Sequence, residues 1–514
     1  MNIKNLFRTA ATLAAAVLLA LPAAAQKADF TMYVSLGDSL TMGITDACLV
    51  EYGQRDSYPA VVARQASGAA FEQPLVSKHG LGGCMYLKSL LSATGSIDPV
   101  FGNYPSDGLP LNATLQRPYN NLGIDGFKIH DVVATNPTIP EASAAYLTLR
   151  GQGTALLQAA SLKPTFLTVF IGGNELFGAI TSATVIPCPD PRVPGCTLTA
   201  MSSVNADLDT IFNTLKAAQG GTGKGVVLNM GDPLIPFVTT VSPILGTNPA
   251  NGQPIFALST VGCPTGVPVC PVPPGSYLTL VAGQYLKAGY GIPCALLDIA
   301  GAPANDPRRA NCDKPLPDNY SVNPATGAVS PGVVLTPPEF AAIRLEAQQI
   351  NAALQAKATA AGYKVFDMVA WFNDILANGR SYGGASVSGT YLGGIFSYDG
   401  AHLTSTGYAI LANDLINFIN ANYGNDIVQA DMYPFLFNGD TSSGGYPVPP
   451  ASVVFAPGDE ITWAAAAFGP DNWQQNLKSF FPQLNLHHAL GGNPADAPIS
   501  IGREVSGAGS DRVH

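Results

Sequence analysis

Two regimes of apolar patterning alternate along this chain. Short, nearly continuous apolar runs read as strands buried on both faces: Thr31–Leu36, Thr165–Ile171, Val226–Met230 and, more briefly, Tyr363–Phe366. Between them apolar residues recur at helical spacing. Leu208, Ile211, Phe212 and Leu215 share one helix face, and Gly220-Gly221 stops that segment. Thr336-Pro337-Pro338-Glu339 is a capping box with proline at the first helical position. It opens a helix whose stripe runs Phe340, Ile343, Ala347, Ile350, Leu354, and Thr404–Ala421 reads as a further helix. Strand and helix in alternation predict an α/β fold, a parallel sheet with helices on both faces.

The intervening stretches set the domain plan. Residues 44–120 read as mostly irregular, rich in Gly, Pro and Asn, and 178–204 as a second inserted loop. Residues 231–335 carry many Pro and Gly and four of the eight cysteines, a length of apparent loop that is generally functional or an inserted subdomain. From 425 to 514 the periodicity dissolves, and that extension predicts no fold of its own.

Composition narrows the partners. Of 514 residues only 12% are charged, net charge is −10, and no basic cluster occurs. That argues against nucleic acid, which needs concentrated positive charge. Lys4 and Arg8, then the apolar Ala10–Leu21, then Ala23-Ala24-Ala25 read as an export signal over 1–25. Its apolar run is short for a membrane span; a buried N-terminal helix is the alternative. The expectation is a secreted or periplasmic protein with no integral membrane segment after signal cleavage. The cysteines agree with export. Eight allow 105 pairings, and loop locality favours Cys188–Cys196, Cys263–Cys270 and Cys294–Cys312, leaving Cys48–Cys84. The close Cys-x-x-Cys spacing or interleaved His of a zinc site is missing, so no metal is expected.

Candidate chemistry begins at the end of the first strand, Gly37-Asp38-Ser39-Leu40, where a strand-to-helix turn exposes a hydroxyl at the sheet edge. Ser39 as a simple helix cap is the bland alternative. A serine nucleophile needs a base, and the base an orienting group. Among the six histidines, His402 has Asp399 three residues before it across Gly400-Ala401, a turn short enough to bring the carboxylate to the ring. Candidate oxyanion donors are the N–H of Ser39, the N–H of Gly126 and the amide of Asn174, which follows a buried strand as Ser39 does. Asp232 and Asp367 are spare carboxylates, Asp38 reads as structural, and His79, His130 and the pair His487-His488 as ordinary polar residues.

Together, Gly37-Asp38-Ser39-Leu40, the Gly126 turn, Gly172-Gly173-Asn174 and Asp399-Gly400-Ala401-His402 resemble the four blocks of the GDSL, or SGNH, hydrolases. Asp56-Ser57-Tyr58-Pro59 with Phe71-Glu72-Gln73-Pro74-Leu75 is similar to the early insertion of secreted bacterial GDSL lipases. His402-Leu403-Thr404-Ser405-Thr406-Gly407-Tyr408 is similar to the final block. The likeness spans about residues 31–424, within a hydrolase domain of 26–424. It implies a flavodoxin-like three-layer α/β/α sandwich and esterase or lipase chemistry with no cofactor. By position it makes Ser39 the nucleophile, His402 the base and Asp399 its partner, with Ser39, Gly126 and Asn174 forming the oxyanion hole. Two departures stand out. Glu175 occupies a position usually held by Asp, which changes local loop packing. His79-Gly80-Leu81-Gly82-Gly83 is a rival to the Gly126 turn, which is preferred for its Asn121-Leu122-Gly123 lead-in.

The leading expectation is therefore a secreted serine esterase or lipase acting on a small-molecule or lipid acyl ester, with transient contact to a lipid surface. Carbohydrate deacetylation and acyl transfer use the same triad. A catalytically inactive surface binding protein on this scaffold is the reading from another class.

Overall fold

The computed structural model describes residues 27–66, 71–91, 97–137, 143–188, 197–318, 321–322, 329–330, 332–382 and 385–436. The expected export signal at 1–25, Cys196 of the expected Cys188–Cys196 pair, and the tail from 437, with His487 and His488, lie outside the described residues.

Five strands form one parallel sheet: β1 Tyr33–Gly37, β2 Asn121–Gly123, β3 Phe166–Phe170, β4 Gly225–Leu228 and β5 Lys364–Phe366. They lie in the order 2-1-3-4-5. The chain leaves β1 toward one edge, then crosses back and builds the other edge strand by strand. The sheet therefore has a topological switch between β1 and β3, the place where ligands bind outside the carboxyl ends of strands. Gly37 at the end of β1 is in register with Phe170 at the end of β3.

The helices that frame this sheet are α1 Ser39–Met42, α2 Tyr58–Ala66, α3 Ile129–Ala134, α4 Ala155–Ser161, α5 Asn174–Ser182, α6 Met201–Ala218, α7 Pro337–Ala361, α8 Met368–Asn378 and α9 Ser405–Tyr423. Strand side chains alternate between two cores, as the pleat requires. Val34, Leu36, Leu167, Val169 and Val227 join Leu208, Ile211 and Phe212 of α6 and Ile343, Ile350 and Leu354 of α7. Tyr33, Phe166, Phe170, Val226 and Leu228 join Val61 and Val62 of α2, Trp371 and Ile375 of α8 and Leu415, Ile416 and Ile419 of α9. Helices thus cover both faces of the sheet.

Several elements differ from the sequence reading. Residues 44–120, irregular over most of their described length, also hold a helix at Glu51–Asp56, then α2, then a hairpin of Met85–Leu91 with Ile97–Asn103. The first six residues of α2, Tyr58 to Ala63, are all buried and include no charged side chain, so no charged face marks the start of this helix in the sequence. The turn at 121–123 is a strand without an apolar run. Asn121 is held there by its own side chain, which donates to Thr41 O at 2.8 Å and accepts from Gly123 N at 2.9 Å. The loop expected over 178–204 is shorter, since α5 runs on to Ser182 and α6 begins at Met201.

Residues 231–335 contain short helices and two-stranded pieces pinned by Cys263–Cys270 and Cys294–Cys312. Ala257, Val272, Leu278 and Val333–Leu335 fuse this segment to the first core. A third disulfide joins Cys48 to Cys84. Three disulfides fit an oxidising compartment, and among the described residues no helix is long and apolar enough to cross a membrane. Past α9 the chain stays on the body: Asn425 exchanges hydrogen bonds with Ala28 at 2.8 and 3.0 Å, and Leu436 is fully buried.

Candidate active site

The end of β1 has little room. A Cβ on Gly37 would run into Phe170 O and Thr41 Oγ1, so only glycine lets the chain turn here against β3. Asp38 follows as the N-cap of α1, its carboxylate accepting from Leu40 N at 3.0 Å. Burial pushes that carboxyl up to about 7, against the pull of the Leu40 N–H and of His402. Asp38, read from the sequence only as structural, is thus the capping residue, and Ser39 is not. Ser39 opens the helix, so its N–H lies in the first turn, where backbone donors have no intrahelical acceptor.

Ser39 Oγ lies 2.8 Å from His402 Nε2. On the other side of the ring, His402 Nδ1 lies 3.1 Å from Asp399 Oδ2. All three residues are buried, Asp399 completely. Asp399 receives four hydrogen bonds. Its Oδ1 accepts from Ala401 N and His402 N, both at 2.8 Å, and its Oδ2 accepts from His402 Nδ1 and from Ala47 N, the latter at 2.8 Å. Burial pushes the carboxyl up, but the His402 ring and these donors outweigh it and hold Asp399 at about 2. Burial lowers His402, and the charges of Asp399, Asp125 and Asp38 more than offset that, so the imidazole sits above its ordinary 6.5.

The turn carrying Asp399 is tied down from several sides. Gly400, at φ +72°, closes it by donating to Ser397 O at 2.9 Å. Phe237 of the 231–335 segment donates to Gly400 O at 2.9 Å. Tyr391 Oη donates to Tyr398 O at 2.7 Å, and Ser397 N to His402 O at 2.8 Å.

The two other candidate donors also gather here. Ile124 N donates to Gly37 O at 3.1 Å, which sets the Ile124–Phe127 turn beside the end of β1. Gly126 is exposed at φ +76°, and a side chain there would point into open space. Asn174 opens α5, four residues past the end of β3, and its Nδ2 donates to Phe127 O at 3.0 Å. Thus Asn174 and the Gly126 turn are braced against each other at the switch point.

The remaining candidates are placed elsewhere. Of the 79–83 glycines, Gly80 packs on the Cys84 sulfur and Leu49, and Gly82 on Ala47 and Cys48. Asp232 pairs with Arg344 at 3.0 Å, and Asp367 caps α8 through Val369 N at 3.0 Å. His130 pairs with Asp207 at 3.0 Å and the exposed His79 with Asp107 at 3.1 Å. Glu175 turns inward, accepting from Ile129 N at 2.7 Å and Thr199 Oγ1 at 3.0 Å. Among the described residues no group of three or more His, Cys, Asp or Glu is arranged to hold a metal ion.

Three supporting groups carry no sequence signal that singles them out: Ala47 N, Phe237 N and Tyr391 Oη. Two of these act through backbone atoms or lie in inserted segments, and only the neighbouring Cys48 hinted that the 45–48 stretch is built. Compared with family models, with curated proteins and with solved structures, the chain finds no match in any of the three.

Proposed function

We propose that this chain is a serine esterase or lipase of the GDSL/SGNH type, exported through residues 1–25, which hydrolyses carboxylic acyl esters through an acyl-enzyme on Ser39. The observation that carries this reading is the 2.8 Å approach of Ser39 Oγ to an imidazole whose other nitrogen meets a buried, ionised carboxylate. The sheet order adds support, since the group lies at the carboxyl edge beside the switch between β1 and β3.

In this reading Ser39 Oγ attacks the acyl carbon while its proton passes to His402 Nε2. Asp399 keeps the ring in the Nδ1–H tautomer and stabilises the imidazolium that forms. The carbonyl oxygen becomes an oxyanion facing Ser39 N–H, Gly126 N–H and the Asn174 amide, donors that need no reorganisation during the reaction. Collapse breaks the ester C–O bond, and the alcohol leaves with the proton held on Nε2. Water, deprotonated by the same nitrogen, then attacks the acyl-enzyme; the acid departs and Ser39 regains its proton.

A fluorophosphonate probe tests this directly. It is expected to label Ser39 alone, and Ser39→Ala is expected to lose hydrolysis of p-nitrophenyl esters by several orders of magnitude. A folded, disulfide-intact protein that takes no label would instead favour a binding role for the scaffold. Product analysis with added alcohol acceptors and with sugar acetates separates hydrolysis from transfer and deacetylation.

A further inference from the structure

Asp399 takes one hydrogen bond from outside its own turn, and the donor has an unusual setting. Thr45 and Cys48 form a closed pair, with Thr45 N to Cys48 O at 3.2 Å and Cys48 N to Thr45 O at 3.0 Å. The two residues between them, Asp46 and Ala47, both lie in the left-handed region, at φ +50° and +60°. Left-handed geometry at both central positions is that of a type I′ turn, which non-glycine residues adopt reluctantly.

This turn meets the Asp399 turn at two points. Ala47 N donates to Asp399 Oδ2 at 2.8 Å, the same oxygen that faces His402 Nδ1. In return, Asp46 Oδ1 accepts from Tyr398 N at 3.2 Å, the residue preceding Asp399. Both Asp46 and Ala47 are buried. The turn is locked from behind: Cys48 is bonded to Cys84, and Met85, the next residue, donates its N–H to Asp46 O at 2.8 Å.

We propose that Asp46 is a positioning residue for the Ser39 chemistry. With the Cys48–Cys84 disulfide, it holds the 45–48 turn so that Ala47 N–H and Asp46 together clamp Asp399 onto His402. Asp46 touches neither substrate nor the reacting atoms; it acts through Tyr398 and Asp399. Burial pushes its carboxyl well above the ordinary range, and the neighbouring Asp399 adds to this despite the Tyr398 N–H. Asp399 is thus held toward its ionised form while its neighbour Asp46 resists ionisation. The catalytic consequence rests on the esterase reading; the structural one, the geometry of the Asp399–His402 pair, does not.

The test compares wild type with Asp46→Ala, Asp46→Asn and the double variant Cys48→Ser/Cys84→Ser. Two readouts are used: kcat and KM on p-nitrophenyl acetate, and the downfield proton NMR signal of His402 Nδ1–H, assigned by its loss in His402→Gln. Asn tolerates the left-handed region and still offers an acceptor to Tyr398 N–H, whereas Ala does neither. Asp46→Ala and the double variant are expected to lower kcat by roughly tenfold to a hundredfold with KM little changed, the range that a small misplacement of a catalytic group produces. Their His402 signal is expected to move upfield or to broaden away. Asp46→Asn is expected to recover most of both readouts. A folded Asp46→Ala with wild-type kcat and an unmoved signal overturns the proposal, and this single variant decides it where the double variant does not fold. A wild type that hydrolyses no ester would remove the esterase reading, while the NMR comparison would still uphold or refute the clamp.

Discussion

His402 Nδ1 lies 3.1 Å from Asp399 Oδ2 with only Gly400 and Ala401 between the two residues. Base and orienting acid therefore share one turn, and whatever holds that turn holds both. Asp399→Asn replaces the acceptor facing Nδ1 with an amide that favours the wrong ring tautomer. Turnover is expected to fall by about 10⁴-fold, the loss seen for this change in the serine protease triad. The pH profile gives a second, independent readout. The base must be neutral to act, and Asp399 contributes to holding His402 above 6.5. The acid limb of kcat/KM is thus expected above that value in wild type. Burial lowers His402, so in Asp399→Asn the limb should move to lower pH; an unmoved limb would show that the carboxylate does not act on this ring.

Asn174 contributes a donor rather than a proton relay, and its loss should look different. Its amide is fixed by Phe127 O at 3.0 Å before any substrate arrives. Asn174→Ala is expected to lower kcat by about 10²- to 10³-fold, as for other single oxyanion donors. KM should change little, because the interaction strengthens only as charge develops on the oxygen. A rise in KM with intact kcat would instead assign Asn174 to ground-state binding.

The 231–335 segment bears on the same turn through Phe237. A Cβ on Gly400 would sit 3.0 Å from Phe237 N, the atom that donates to Gly400 O at 2.9 Å. Gly400 also needs φ +72°, which costs an L-residue about 1–2 kcal/mol. Gly400→Ala is therefore expected to lose stability by at least that amount in urea unfolding, and to lose activity even where it stays folded. Wild-type kcat in the folded variant would mean that the Phe237 contact does not hold the turn.

The parts of this architecture that were legible in the sequence are those dictated by local chemistry. The capping box at Thr336 and Glu339 forms, and Phe340, Ile343, Ala347, Ile350 and Leu354 all face the core. The three longer apolar runs became β1, β3 and β4, with ends shifted by one or two residues. What escaped was decided by tertiary packing. Helix α2 is buried along Tyr58 to Ala63, and β2 is a three-residue strand defined by its parallel pairing with β1, with Asn121 also anchored to Thr41. At the site, Ser39, Asp399 and His402 announce themselves through side-chain types at short spacing. Ala47 and Phe237 contribute backbone N–H groups, which every residue but proline has, so nothing in their side chains marks them.

Glu175, directly after Asn174, gives a prediction about stability rather than rate. Its side chain is fully buried between Ile129 N and Thr199 Oγ1. Burial pushes its carboxyl from 4.5 up to about 7, against the pull of Lys128 and the two hydrogen bonds. A folded-state pKa above the unfolded one means the native protein prefers the protonated form. The stability this gives is complete below pH 4.5 and is lost as pH rises through about 7. The full difference is on the order of 3 kcal/mol. Glu175→Gln can still accept from Ile129 N–H and donate to Thr199, but it does not titrate. Relative to wild type it should therefore gain stability as pH is raised from 5 to 8, with most of the gain before about pH 7. Urea unfolding of both proteins at the two ends of that range measures it, since other titrating groups cancel in the comparison. An equal stability difference at both ends would mean that Glu175 ionises in the folded protein as readily as in the unfolded chain.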